Sequence, residues 1–262
     1  MKLAGVIGWP VAQSLSPRLH GVWLAEHGID GAYVKLPVRP EDVSVAIRGL
    51  QRIGFAGVSV TVPHKEAAFA VAHRVDEAAR AAGAVNQLVF RDDGEIEGLN
   101  TDATGLAASL AEVDFAGKPV VLLGAGGAAR AARVALKGAR EIRVLNRTPG
   151  RLGALGLAHW ADAAKDAALV VNTTGAGMKG TPSLDLDLTL LPKTAVVCDI
   201  VYNPLHTPLL KQARGQGLKT VDGLGMLIHQ AVPAFRAFYG VEPKVTPALR
   251  RALEEALEGA LA

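Results

Sequence analysis

The chain has 262 residues, half of them hydrophobic and a fifth charged, which is enough for one large domain or two ordinary ones with a substantial core. The formal net charge of +3 suits anionic small molecules, and the absence of a Lys/Arg-rich run or an aromatic–basic pattern argues against a nucleic-acid partner. One cysteine, Cys198, excludes an internal disulfide, and the lack of a membrane-length apolar run or a signal-peptide pattern predicts a soluble, cytoplasmic protein without a membrane partner.

The first hundred residues alternate predicted strands and helices. Strands are predicted at residues 3–7, 32–36 and 55–60, with helices at 17–27 and 40–52 between them. This rhythm predicts a mixed, mostly parallel α/β sheet with helices on both faces. A hairpin around Asp92-Asp93-Gly94 follows, and a helix begins after Asp102, where we place a domain boundary.

Two hydroxyls lie in the first loop. Ser16 precedes Pro17 and has the pattern of a helix N-cap followed by a first-turn proline. Ser14 lies two residues earlier, and a pair of hydroxyls at a helix N-terminus can also bind a carboxylate. Both the capping role and the binding role stay open at this point.

Lys65 is the leading candidate for chemistry. It follows the predicted strand 55–60 and Pro63, so it falls in the first turn of a helix, where the positive end of the macrodipole disfavours a cation. Such a lysine is either an exposed residue that tolerates a small penalty or a general acid/base.

Asp102 and Asn86 each have a structural alternative. Asp102 is placed as an N-cap that could also face a cleft between two domains, and Asn86 could be a turn residue. No metal-ligand spacing links the seven histidines, so no metal site is predicted.

Residues 119–148 predict half of a dinucleotide-binding fold. The apolar strand 119–123 leads directly into Gly124-Ala125-Gly126-Gly127-Ala128-Ala129, which matches G-x-G-x-x-A, and a helix and a second strand at 141–145 follow. The glycines allow a tight turn and let the backbone approach a pyrophosphate at the positive end of the helix. Because more than a hundred residues precede the motif, they should form a separate domain.

The end of the second strand favours NADP over NAD. An NAD site usually has an acidic residue there for the ribose hydroxyls, whereas this chain has Asn146-Arg147-Thr148 and, shortly after, Arg151. All four can donate hydrogen bonds to a 2′-phosphate. The alternative is that Arg147 and Arg151 are ordinary solvated surface residues.

The last third continues this fold. Strands are predicted at 168–171, 195–200 and 218–221, and Tyr202 follows the second of them, at a strand end where ligands bind in open α/β sheets. A long helix at 223–239 carries Gln230 close to its apolar face, where a buried amide needs partners. The predicted domains are therefore 1–102 plus about 240–262 for the substrate, and a Rossmann-type 103–239 for NADP, with the helix 246–261 returning to the first domain.

These segments together resemble the shikimate dehydrogenase family, and the resemblance runs almost from end to end. The motifs that carry it lie at Gly8 to Pro17, Thr61 to Lys65, Gly83 to Asn86, Asn100 to Gly105, Gly124 to Arg130, Asn146 to Thr148, Asp199 to Pro204, and Gly225, Met226 and Gln230. Each string is weak alone, whereas their order is specific. Ser59 departs from the pattern, because many relatives have Asn there, and Gly175-Ala176-Gly177 replaces a loop that often contains Pro.

The resemblance implies NADPH-dependent reduction of 3-dehydroshikimate to shikimate, a step towards the aromatic amino acids. It implies proton exchange by Lys65 with Asp102 beside it, a substrate carboxylate bound by Ser14, Ser16 and Tyr202, and other substrate oxygens bound by Thr61, Asn86, Asp102 and Gln230. The pyrophosphate would bind at Gly124, Ala125, Gly126, Gly127 and Ala128, the adenosine phosphate at Asn146, Arg147, Thr148 and Arg151, and the nicotinamide near Ile200 and Gly223, with Glu77 as a weaker cofactor-side candidate.

Three hypotheses remain open on the sequence. They are an NADP-dependent shikimate dehydrogenase, a quinate/shikimate dehydrogenase that prefers NAD, and a nucleotide-sensing regulator without turnover. The absence of an acidic residue at 146–148 argues against the second, and the presence of both Lys65 and Asp102 argues against the third. The sequence is compatible with a homodimer and does not determine the oligomeric state.

Overall fold

The computed structural model describes residues 1–259, which form two compact units. The first unit comprises Met1–Asp102 and the residues from Ile228 onward, and the second comprises Ala103–Leu227. The sequence placed the return to the first domain at about residue 240, whereas the division falls after Leu227, inside a helix assigned wholly to the second domain. Residues 260–262, which include the last two residues of the predicted helix 246–261, lie outside the described part.

The first unit contains a mixed six-stranded sheet. Its strands are β1 (Lys2–Gly8), β2 (Gly31–Pro37), β3 (Phe55–Val60), β4 (Arg74–Val75), β5 (Gln87–Phe90) and β6 (Ile96–Leu99). Their order is β2-β1-β3-β5-β6-β4, with β5 antiparallel to both of its neighbours and the other pairs parallel. The predicted βαβ rhythm and the hairpin are both present. The two-residue β4 was not predicted, because it is too short to show a period.

Helices cover both faces of this sheet. They are α1 (Ser16–Glu26), α2 (Val43–Arg52), α3 (Lys65–Val71) and α4 (Glu77–Ala82), joined by the latter part of α9 (Gly223–Tyr239), while α10 (Pro247–Gly259) packs against α1. One core of aliphatic side chains includes Ile47 of α2, Ala68 of α3 and Leu88 of β5. A second core is aromatic, and in it Trp23 of α1 packs edge-on against Phe235 of α9 at 5.4 Å between ring centroids.

The second unit contains a parallel six-stranded sheet. Its strands are β7 (Pro119–Leu123), β8 (Glu141–Asn146), β9 (Leu155–Gly156), β10 (Leu169–Asn172), β11 (Val196–Asp199) and β12 (Lys219–Val221). The order β9-β8-β7-β10-β11-β12 is the 3-2-1-4-5-6 order of doubly wound dinucleotide-binding folds. The predicted Rossmann-type architecture is therefore confirmed.

The second sheet is buried on both faces. Val121 and Leu123 of β7 belong to one hydrophobic core and Val120 and Leu122 to the other, as the two-residue period of a strand requires. The covering helices of this unit are α5 (Asp102–Ser109), α6 (Gly127–Ala135), α7 (Trp160–Ala164) and α8 (Pro208–Gly215). Across residues 1–259, no helix combines the length and the apolarity that crossing a bilayer demands.

Candidate active site

The polar candidates of the first unit gather at one edge of its sheet. Gly8 and Val60 end the parallel strands β1 and β3, so the loops with Ser14 and Thr61 begin at the same edge. The antiparallel β5 starts at this edge, directly after Asn86. The next strand, β6, returns to it and leads into residues 100–102. Residues far apart in sequence therefore become neighbours through strand direction alone.

Lys65 and Asp102 form an ion pair. Lys65 is the first residue of α3, as predicted, and its Nζ donates to Asp102 Oδ2. The two side chains are 17% and 7% exposed. Because a charge so little exposed to water is costly unless it is paired, each member of the pair offsets part of that cost for the other.

Asp102 is not the N-cap that the sequence indicated. It is the first residue of α5, and its own amide donates to Asn100 Oδ1 at 3.1 Å. Its Oδ1 instead accepts from Asn86 Nδ2 at 2.8 Å, while Oδ2 accepts from Lys65. Both carboxylate oxygens are thus committed to side chains of the candidate site.

Asn86 is a buried organising residue and not an exposed turn residue. Its Oδ1 accepts from the backbone amide of Thr101 at 2.8 Å, and its Nδ2 lies within 3.4 Å of Gln230 Oε1. Asn86 therefore links Asp102 to the amide carried by α9. The structure brings four of the predicted residues, Lys65, Asp102, Asn86 and Gln230, into one connected network.

Ser14 and Thr61 lie at the same edge, in the loops after β1 and β3. The amide of Ser16 donates to Ser14 Oγ at 3.3 Å, and α1 begins at Ser16, so Ser16 is not the N-cap that its position before Pro17 suggested. A Cβ atom at Gly8 would lie 2.4 Å from the Thr61 methyl group, so these two loops can pack together only because residue 8 has no side chain.

The glycines of the nucleotide motif shape the turn before α6 and leave the start of that helix open. Gly124 has φ of +111°, which disfavours other residues, and a Cβ there would lie 2.6 Å from Thr173 Oγ1. Gly126 precedes α6, no side chain caps that helix, and a Cβ at Gly126 would meet only open space. The positive end of α6 is therefore accessible to an anion.

The candidates for the adenosine end lie directly after β8. Asn146 ends the strand, and its Nδ2 donates to the Thr148 carbonyl at 2.8 Å, which holds the turn that carries the exposed Arg147. Arg151 is also exposed. No acidic residue lies at 146–148, and cationic groups near the surface suit a phosphate better than a neutral ribose.

The candidates for the nicotinamide end lie directly after β11 and at the start of α9. A Cβ at Gly223 would lie 2.2 Å from the Ile200 carbonyl oxygen, so the two residues are in direct contact. Below them, the buried Asp199 accepts from Asn172 Nδ2, the Val201 amide and the Thr207 hydroxyl at 2.7–3.0 Å. Tyr202 is half-buried after β11 and Glu77 is exposed on α4, and the roles of both stay predictions.

Sequence reasoning missed two residues of the network. Gln87 is fully buried, and its Nε2 donates to Gln230 Oε1 at 3.0 Å, while the Thr101 hydroxyl lies 3.0 Å from Asn86 Nδ2. The signal was present, because Asn86 and Gln87 interrupt an apolar strand, and buried amides need partners.

Comparison with known proteins identifies the family of the chain. A family model described as the shikimate dehydrogenase substrate binding domain matches residues 6–88, which include Ser14, Thr61, Lys65 and Asn86. The NADP(+)-dependent shikimate dehydrogenase of Acidiphilium cryptum is 54% identical over 98% of both chains. The chain belongs to the shikimate dehydrogenase family.

Solved structures extend the likeness to the whole fold of this shikimate dehydrogenase family member. A crystal structure of the shikimate 5-dehydrogenase of Thermus thermophilus with NADP(H) and shikimate has a TM-score of 0.85 and 35% identity, and covers 99% of this chain and 100% of that one. The quinate dehydrogenase of Corynebacterium glutamicum with NAD has a TM-score of 0.87 and 31% identity, with coverage of 97% and 99%. The fold is thus shared by enzymes named for different substrates and cofactors.

Proposed function

We propose that this chain catalyses the reversible NADPH-dependent reduction of 3-dehydroshikimate to shikimate. The observation that carries the proposal is the ion pair between Lys65 and Asp102, joined through Asn86 to Gln230. A proton donor next to several fixed hydrogen-bonding groups suits a polyhydroxylated ring that bears one carbonyl group. The NADP(+)-dependent enzymes named among the relatives, at about half identity, support the same reaction.

Lys65 is the proton donor and acceptor of the proposed reaction. In reduction, its ammonium group gives one proton to the carbonyl oxygen at carbon 3, and in oxidation its amine takes that proton back from the alcohol. Asp102 holds Nζ in place through one carboxylate oxygen, while Asn86 holds the other oxygen. The side chain of Lys65 is 17% exposed, so its proton can be replaced from solvent.

The remaining polar groups bind and orient the substrate in this proposal. Ser14 and Ser16 supply two hydroxyl groups and the backbone amides at the start of α1 for the substrate carboxylate. Thr61 and the amides of Asn86 and Gln230 bind ring oxygens. Such positioning lowers the entropic part of the barrier because the reacting carbon is held in one orientation. A contribution of Tyr202 to the carboxylate site remains part of the proposal.

The second unit holds NADPH in this proposal. Residues 124–128 fit a pyrophosphate because Gly124 turns sharply and the start of α6 is open. In the proposal, Asn146, Arg147, Thr148 and Arg151, which follow one another at and after the end of β8, bind the 2′-phosphate. When bound, NADPH supplies the hydride that reaches carbon 3. Ile200 and Gly223, whose backbones are in contact, lie at the proposed nicotinamide end.

A cytoplasmic location and a homodimeric assembly complete the proposal. The buried free thiol of Cys198 is compatible with a reducing compartment, and burial together with the neighbouring Asp199 carboxylate raises its pKa, which keeps it unreactive. Sedimentation analysis of the purified protein measures the assembly directly, and a monomer mass would remove the homodimer from the proposal.

One assay separates the proposed function from its alternatives. Absorbance at 340 nm is followed with shikimate or quinate as substrate and NADP or NAD as cofactor. We expect the highest kcat/KM with shikimate and NADP. Preference for quinate and NAD would instead assign the activity named for the Corynebacterium glutamicum structure, and no turnover with any pair would favour a regulatory protein.

A further inference from the structure

Three buried polar side chains stand behind Gln230 in the first unit. The Tyr33 hydroxyl donates to Ser59 Oγ at 2.6 Å, and Ser59 Oγ donates to Gln87 Oε1 at 2.7 Å. Gln87 Nε2 then donates to Gln230 Oε1 at 3.0 Å. Tyr33, Ser59 and Gln87 are all less than a tenth exposed, so each of these bonds is protected from competing water.

Strand register places the three side chains on one face of the sheet. Ser59 of β3 lies directly opposite Gln87 of β5, and on the other side it pairs with Val6 of β1. Tyr33 of β2 pairs with Ala4 of β1, two residues from Val6 and therefore on the same face. Because Ala4 is small, the Tyr33 ring can reach across β1 to Ser59.

The direction of the hydrogen bonds is set at the opposite end, by Asp102. The Asp102 carboxylate can only accept, so Asn86 must turn its Nδ2 towards it. The Thr101 backbone amide can only donate, so Asn86 Oδ1 must face that amide. These two constraints allow one orientation of the Asn86 side-chain amide. Its Nδ2 faces Gln230, which must then present its oxygen.

Gln87 completes the fixation of Gln230. Three donors surround Gln230 Oε1: Gln87 Nε2 at 3.0 Å, and Asn86 Nδ2 and the Thr101 hydroxyl both at 3.4 Å. A carbonyl oxygen has two lone pairs, and these three donors of the protein are enough to occupy both of them. A contact of Gln230 with a substrate oxygen is then made through its N–H groups.

Tyr33 anchors the far end by packing. Its ring stacks on His20 at 3.9 Å between centroids, inside the aromatic core of the first unit. Burial lowers the pKa of His20 to about 3, so the stacked imidazole is neutral at physiological pH. The phenol is thus held by a packed, uncharged neighbour. The departure of Ser59 from the family motif also has a local account, because its hydroxyl connects the phenol to Gln87.

We propose that Gln87 is a positioning residue that, supported by Ser59 and Tyr33, locks the Gln230 amide so that it donates to an oxygen of the substrate. This inference rests on the proposed function, because the substrate is the one named there. It predicts that Gln87 acts on substrate binding only through Gln230. Without the hydrogen bond from Gln87, the Gln230 amide can rotate. In part of the enzyme–substrate complexes it then presents its oxygen to the substrate instead of its N–H groups.

A double-mutant cycle tests the proposal. Gln87→Met keeps the volume and removes the amide, and we expect it to raise KM for shikimate about 3- to 10-fold with kcat changed less than about 2-fold, as for one neutral hydrogen bond. In a Gln230→Ala background the same substitution should change KM less than about 2-fold. An equal increase in both backgrounds, an unchanged KM in the single variant, or a loss confined to kcat would overturn it.

Two phenol variants provide a second test with a matched control. Tyr33→Phe removes only the hydroxyl that starts the relay, whereas Tyr239→Phe removes a hydroxyl that donates to the Ala32 carbonyl at 3.0 Å in the same aromatic core. We expect KM to rise in Tyr33→Phe alone, although both variants lose stability. This pair decides the question if Gln87→Met does not fold, and equal KM values in the two variants would contradict the relay.

Nuclear magnetic resonance signals of the Gln230 side-chain amide distinguish failure of this inference from failure of the proposed function. If the unmodified protein does not turn over shikimate, the proposed function fails. The nitrogen–proton correlation signals of the Gln230 amide should still shift in Tyr33→Phe and stay in place in Tyr239→Phe. Signals that respond equally to both substitutions would refute the relay regardless of activity.

Discussion

The buried carboxylate of Asp199 yields a prediction with a definite sign and size. Asp199 is at 0% exposure in the second unit, and burial raises its pKa from 3.8 to about 6. Hydrogen bonds from Thr207, the Val201 amide and Asn172 lower the pKa and offset only part of that effect. The folded protein therefore binds a proton at Asp199 more tightly than the unfolded chain does.

The linkage between proton binding and folding determines whether the free energy of unfolding rises or falls with pH. Between pH 4 and 6 the folded state holds more protons at Asp199, so the free energy of unfolding falls as pH rises through this range and is constant above it. The difference between the folded pKa of about 6 and the unfolded value of 3.8 corresponds to about 3 kcal/mol in full. About 2 kcal/mol of this is expressed between pH 4.5 and 7.5.

Asp199→Asn tests this magnitude. The amide keeps the shape, its oxygen can accept from Asn172 and Val201, and the Thr207 hydroxyl can turn to accept from its nitrogen. Urea unfolding measures the free energy of unfolding of both proteins at pH 4.5 and 7.5. The value of the variant relative to that of the unmodified protein should be about 2 kcal/mol higher at pH 7.5 than at pH 4.5.

An exposed aspartate serves as the control for this measurement. Hydrogen bonds from Thr189 lower the pKa of the exposed Asp187, so Asp187→Asn should give a small change of opposite sign. A stability difference between Asp199→Asn and the unmodified protein that is the same at both pH values would refute the reasoning.

Three further substitutions test the site and the fold. Lys65→Ala should lower kcat by about 10²- to 10⁴-fold with KM for shikimate little changed, whereas a mainly raised KM would make Lys65 a binding residue. Arg147→Ala should weaken NADP about 10- to 100-fold in binding titrations and leave NAD nearly unaffected, with the exposed Arg52→Ala as control, and equal losses would reject the phosphate role. Gly57→Ala should lower the melting temperature and leave cofactor affinity intact, because its Cβ would lie 2.4 Å from the Phe238 ring, so an unchanged melting temperature would contradict this packing.

The sequence predicted the longer elements well and the shortest ones poorly. The strands at Phe55–Val60 and Pro119–Leu123 and the helix at Gly223–Tyr239 have the predicted bounds, because an apolar run or a helical period over many residues is a local property. The two-residue strand Leu155–Gly156 and the five-residue helix Trp160–Ala164 were not predicted, since neither is long enough for its period to repeat. Only their sheet and core partners define them.

The sequence identified residues that belong to the candidate site, but it assigned wrong local contacts to two of them. Asp102 and Ser16 both carry the local signature of an N-cap, and the structure makes each the first residue of its helix instead. For Asp102 the reason is that Asn86 and Lys65, distant in sequence, take both carboxylate oxygens. A local motif cannot report such competition, because it contains only the near neighbours.

Gln87 illustrates the same limit for a residue outside every motif. Its neighbours in sequence show that an amide interrupts an apolar strand, but they do not name its partners. Those partners lie on β3 and α9, and they meet Gln87 only through strand register and helix packing.

The sequence by itself therefore determined the two-part α/β architecture and the nucleotide-binding turn, and it pointed to a cofactor phosphate at residues 146–151 and to the proposed proton-transfer pair. The architecture, the turn and the phosphate site follow from periodicity, from the glycines and from the charges of neighbouring residues, whereas the pairing of Lys65 with Asp102 was implied by the family resemblance. Tertiary structure alone decided which oxygen each donor reaches, that Asn86 connects Asp102 to Gln230, and that Asp199 is buried enough to retain its proton to about pH 6. The physical reason is that hydrogen-bond direction and desolvation depend on atoms that folding brings together across the sheet. These atoms belong to residues far apart along the chain, so local sequence patterns do not identify the contacts.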